Sequence, residues 1–133
     1  MTDGEKFDYW LDIAEYDLET AGAMYKSGRW IYVLVMCQQA VEKLVKGLYL
    51  LYINDDVPRI HNIKKLVQNF ENKLPLIIPT ERYDFFDELS RYYLSNRYPD
   101  FISKMSLQIT EAEASSTLIK TRETFAWLKT LKK

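Results

Sequence analysis

Apolar residues at Phe7, Trp10 and Leu11, Ala14, Leu18, Ala21 and Tyr25 recur every three or four positions, the repeat of one face of an α-helix. Asp3 is a candidate cap for this first helix, and Gly28 a candidate stop. A second helix is predicted from about residue 30 to about residue 52, with Trp30, Val33 and Leu34, Cys37, Val41, Leu44 and Val45, Leu48 and Leu51 on one side. Ile31, Tyr32, Val35 and Met36 make its first two turns apolar nearly all round, which places it at the centre of a bundle. Asn54-Asp55-Asp56-Val57-Pro58 is turn chemistry, in which short polar side chains bond their own backbone.

A shorter helix is predicted over about 62–72, burying Ile63, Leu66, Val67 and Phe70, and Pro75 and Pro79 bracket a loop after it. Thr80 is placed to cap a fourth helix over about 81–96 that carries Phe85, Phe86, Leu89, Tyr92 and Tyr93. Tyr98-Pro99-Asp100 breaks that pattern. A last helix is predicted over about 101–131, with Ile102, Met105, Ile109, Ala112, Ser116 and Ile119 inward, drifting to Phe125 and Leu128. Positions 74–78 would pass for a short strand in isolation, but no alternating pattern is sustained. Short connections between long helices favour antiparallel neighbours, so the expectation is a single all-α domain, an up-and-down bundle of four to five helices.

The chain has 133 residues, 47% of them hydrophobic, enough for one core without disulfide or metal support. A formal net charge of −1 gives no bulk attraction to nucleic acid or acidic membrane, though a local basic patch is compatible with it. The start, Met1-Thr2-Asp3-Gly4-Glu5-Lys6, lacks the basic and apolar run of a secretory signal, and no stretch reaches the length of a membrane span. A cytoplasmic location is the resulting expectation. With one cysteine and one histidine, neither an internal disulfide nor a Cys/His zinc site is expected, and no cofactor is anticipated.

The absence of a Gly-rich run excludes phosphate loops of the P-loop or dinucleotide type, and His61 lacks the Glu three residues earlier that di-iron bundles use. Cys37 reads as a small buried hydrophobe, and no feature brings it to His61 as a nucleophile–base pair. His61 follows a turn and precedes a helix. It reads first as a cap-region residue hydrogen-bonding the end of the third helix, and second as a catalytic or ligand-binding group. The densest chemistry lies over 90–100, where Arg91, Tyr92, Tyr93, Asn96, Arg97 and Tyr98 gather at a helix end. Arginine offers a planar fork for phosphate or carboxylate, and Tyr and Asn add neutral hydrogen bonds and stacking surface. The plain alternative is an Asp100–Arg97 pair with the tyrosines packed on the last helix. Lys43 and Lys46 share a face of the second helix and read as a solvated stripe unless Arg91 and Arg97 approach them.

Taken in order, Ala14-x-x-Asp17-Leu18-x-x-Ala21, Gln38-Gln39-Ala40-Val41-Glu42-Lys43-x-x-Lys46, His61, and Arg97-Tyr98-Pro99-Asp100 resemble HEPN domains over about 9–126. The resemblance implies a helical bundle that dimerises. It implies the stand-alone prokaryotic type, encoded beside a minimal nucleotidyltransferase as a toxin–antitoxin-like pair. Several such proteins are metal-independent ribonucleases with an Arg, four to six residues, a His, and often a Tyr soon after. In partnered members that tyrosine is modified by the nucleotidyltransferase. The pattern falls here on Arg91, Asn96 and Tyr98, so the arginine and tyrosine match and the histidine does not.

An asparagine amide cannot accept a proton near neutral pH, so losing the base costs about 10²–10⁴-fold in rate, while Arg91 or Arg97 can still hold a phosphate. The expectation is therefore a homodimeric interaction module, non-catalytic or weakly catalytic. Arg91, Asn96, Arg97 and Tyr98, with Lys43 and Lys46, would face a nucleotide, RNA or a partner nucleotidyltransferase. The alternatives are a ribonuclease using Arg91, Asn96 and His61 in a degenerate motif, and a purely structural dimerisation domain.

Overall fold

The computed structural model describes residues 1–93 and 98–133, with the backbone alone for Tyr98 and Phe101. The helices are α1 (Asp3–Lys26), α2 (Trp30–Ile53), α3 (Ile63–Gln68), α4 (Thr80–Ser90), α5 (Tyr98–Met105) and α6 (Glu111–Lys129), with a 3-10 turn at Glu71–Lys73. No strand occurs among the described residues. The all-α bundle expected from the hydrophobic pattern is the fold present.

Thr2, not Asp3, caps α1: its side chain accepts from the Glu5 backbone N–H, and the Glu5 carboxylate accepts from the Thr2 N–H. Two otherwise unpaired donors are satisfied this way. After α1 the chain reverses through Gly28 at φ 72°, a conformation a Cβ would disfavour. α2 then runs through the middle, packed on α1, α6, α3 and α4, which is why it is apolar on almost every side. Asn54, left-handed at φ 59°, ends it.

α3 is shorter than expected, giving way to the 3-10 turn. Thr80 is the first residue of α4 and caps nothing with its side chain. The single last helix expected over 101–131 is instead α5 and α6. They are divided where the Thr110 hydroxyl accepts from the Glu113 N–H and starts a new helix. The inward face of α6 also differs. Ala114, Thr117, Leu118, Thr121, Thr124, Phe125 and Leu128 are buried, whereas Ala112 and Ser116 are exposed and Ile119 is 63% exposed.

α5 places Ile102 and Met105 over Ile31, Leu34 and Ile109, a small second core covering the first turns of α2. Cys37 is fully buried, with the Thr121 hydroxyl beside it, and burial pushes its thiol up to about 11. It is therefore a packed thiol, not a nucleophile.

Candidate functional site

Gln38, Glu42 and Lys46 are spaced by one helical turn on α2 and are 0%, 4% and 8% exposed. Polar groups so buried must find partners. Gln39 donates to the Gln38 side-chain oxygen at 2.7 Å, and Gln38 donates to Glu42 Oε1 at 2.7 Å. Lys46 Nζ lies 3.0 Å from Glu42 Oε2, and His61 Nδ1 lies 3.1 Å from that same oxygen. One buried carboxylate thus gathers an amide, an ammonium and an imidazole.

An ionised carboxylate can only accept, so the neutral His61 ring carries its proton on Nδ1 and leaves Nε2 as its acceptor. The imidazole lies flat on Tyr93, with centroids 3.7 Å apart and planes 11° from parallel. Its side chain is 36% exposed. Local backbone contacts fix this placement. The Ile63 N–H donates to the Ser90 hydroxyl at 3.1 Å, and that hydroxyl donates to the Phe86 carbonyl at 2.8 Å, tying the start of α3 to the end of α4. The cap of α3 is Asn62, whose side chain accepts from the Lys65 N–H. That replaces the capping role expected of His61, whose ring points instead to α2.

Arg91 is the C-cap residue of α4 and is exposed, two positions before Tyr93. Glu42 and Lys46 pair with one another, so neither presents an unpaired charge. The two lysines expected to share a face separate: Lys46 is buried on Glu42, while Lys43 reaches α1 and meets Asp17 Oδ2 at 2.5 Å. Neither belongs to a solvated stripe. The tyrosines separate too. Tyr93 covers His61, whereas Tyr92 packs on the second core, where burial first and then the Glu88 carboxylate raise its phenol above the usual range. Tyr98 opens α5, and its side chain, with Asn96 and Arg97, lies outside the described residues.

Sequence reasoning passed over Glu42 as the hub and Tyr93 as the stacking partner. The available signal was Gln38-x-x-x-Glu42-x-x-x-Lys46, a polar row inside a helix that is apolar on both sides and so must be paired within the core. Among the described residues no three His, Cys, Asp or Glu side chains converge as a metal would require, and no helix is long and apolar enough to cross a membrane.

The HEPN domain profile matches residues 7–131. The fold is similar to the crystal structure of TT1696 from Thermus thermophilus, with 24% identity, a TM-score of 0.78, and coverage of 93% of this chain and 96% of that one. It is also similar to ST0689, described as an archaeal HEPN homologue, with 26% identity, a TM-score of 0.71, and coverage of 92% and 94%. No curated protein matches the sequence.

Proposed function

The chain belongs to the HEPN domain family, and we propose that it is a dimeric interaction module whose His61–Arg91–Tyr93 corner takes the phosphate and base of a nucleotide or RNA. In a two-component setting the same corner would be offered to a partner nucleotidyltransferase. The observation that carries this reading is the part-exposed imidazole, stacked flat on Tyr93 and bonded to a buried carboxylate, with the exposed Arg91 two residues before Tyr93 in the chain. Arg91 supplies a fork for phosphate, and the aromatic pair supplies stacking surface. Asn96, Arg97 and Tyr98 are proposed to extend the corner.

The test is calorimetric titration of the purified protein with ATP and with a short single-stranded RNA at low salt. Arg91→Ala is expected to weaken binding about tenfold and to reduce its salt dependence. Failure of both probes to bind sinks this reading. Loss of the dimer in Arg91→Ala with unchanged affinity per chain would assign the corner to subunit contact instead.

The Glu42–His61 contact favours one further reading, a metal-independent ribonuclease in which His61 replaces the motif base. Nε2 would take the proton of a ribose 2′-hydroxyl. The freed oxygen would bond to phosphorus as the bond to the 5′-oxygen breaks, and the leaving oxygen would be protonated by the imidazolium. Cleavage of the same RNA in EDTA, reduced about 10²–10⁴-fold in His61→Ala, is the expected result on that reading. Intact RNA, or cleavage indifferent to His61, rules it out.

A further inference from the structure

α1 has a second patterned face. Phe7, Ala14, Asp17 and Ala21 point into the bundle. About a third of a turn round the helix from that face, Tyr9, Ile13, Tyr16, Thr20 and Ala23 step by four, three, four and three, the spacing of a helix–helix seam, with Ile13 and Thr20 partly covered and the other three exposed. Tyr9 is 60% and Tyr16 is 70% exposed, and neither ring meets another ring, a cation or a hydrogen-bond partner among the described residues. The Thr20 hydroxyl donates to the Tyr16 carbonyl at 2.9 Å, leaving its methyl as the group it offers a neighbour.

Charge decides what fits this seam. α1 carries seven of the chain's 19 acidic residues and two of its 18 basic ones. Asp8 pairs with Lys132, Glu15 with Lys129 and Asp17 with Lys43, and Glu5 serves the cap. Asp12 and Glu19, a heptad apart along the seam's edge, make no ion pair among the described residues. A second copy laid antiparallel sets these acids against each other. Laid parallel, it sets them against Trp10, Asp17 and Met24, which offer no cation. Like charges across such a seam disfavour association.

We infer that the outer face of α1 docks an amphipathic helix from a different protein, apolar along its seam and flanked by Lys or Arg opposite Asp12 and Glu19. The inference rests on α1 alone and does not depend on the nucleotide-binding reading. The experiment titrates the ¹⁵N-labelled full chain with two synthetic helical peptides that share a Leu/Ala seam, one flanked by Lys and one by Glu. The Lys-flanked peptide is expected to shift the amides of residues 9–23, and the Glu-flanked peptide to leave them unmoved. Tyr16→Lys should weaken the first peptide about tenfold, and the pair Asp12→Lys with Glu19→Lys should exchange the preference. All three positions are exposed, so these variants fold. Equal response to both peptides, response to neither, or shifts elsewhere would overturn the inference. So would sedimentation showing a dimer that Tyr16→Lys dissociates, since the face would then belong to a second copy.

Discussion

Glu42→Ala is expected to lower the free energy of unfolding by about 3–5 kcal/mol, read by urea denaturation with tryptophan fluorescence. The cost comes less from the lost attraction than from what is left behind. Lys46 is 8% exposed and the Gln38 amide fully buried, and both would lose the acceptor that pairs them. An orphaned buried charge is costlier than an absent pair. Hence the triple change Gln38→Leu, Glu42→Leu and Lys46→Met should restore stability to within about 1 kcal/mol of the original, because hydrocarbon of similar volume commonly replaces a buried ion pair without loss. A loss under about 1 kcal/mol in Glu42→Ala would mean the row is solvated and the site is not built as described.

That comparison bears on function. Where hydrocarbon would serve stability equally well, the ionic row is left with the work only it can do: holding His61 Nδ1 and presenting the ring on Tyr93. The triple variant, folded but without the carboxylate, is therefore the sharper test of the corner. On the proposed nucleotide-binding reading, affinity should fall in it while the fold persists.

The legible parts of the molecule were those where hydrophobicity alone sets position. α2 is apolar around nearly its whole circumference, so its central place was readable from composition and period. The α6 register was not, because its buried stripe relies on Thr117, Thr121 and Thr124. Threonine is scored as polar, yet its short side chain is readily buried on a helix face packed against a neighbour. The pattern therefore pointed to Ile119, which lies outside. The break before α6 was written as Thr110-x-x-Glu113, a capping signal obscured by Ile102, Met105 and Ile109, which recur at helical spacing up to its edge.

The site divided in the same way. His61 stood out as a chemistry-bearing residue at a helix end, and its ring lies on Tyr93, two residues beyond the Arg91 that ends α4. Lys43 and Lys46 looked equivalent because three residues on a helix leave side chains on nearly one side, but about 60° of rotation separates them. That is enough to hand Lys43 to Asp17 on α1 and Lys46 to Glu42. Which carboxylate each lysine meets is a tertiary fact, and the local pattern carries no trace of it.

Phe7→Ala is expected to cost about 3–5 kcal/mol, and its effect should not add to that of Gly47→Ala. Phe7 is 1% exposed on the first turns of α1, and its ring lies directly over Gly47 in the middle of α2. A β-carbon at position 47 would stand 3.1 Å from Phe7 Cδ2 and 3.1 Å from Trp10 Cβ, closer than carbon atoms pack without one of them yielding. The Trp10 Cβ is fixed to the α1 backbone, so relief requires the helices to part. This explains a glycine inside a helix, where alanine would otherwise add about 1 kcal/mol through helix propensity alone. Gly47→Ala should thus destabilise the natural chain. With Phe7 cut back, α1 is free to settle away from the new methyl group, and the same substitution should cost less or turn favourable. A double-mutant cycle in urea is expected to show coupling of about 0.5–3 kcal/mol. Additivity within about 0.3–0.5 kcal/mol would mean that α1 and α2 do not meet through this pair, and the register that aligns Asp17 with Lys43 would fall with it.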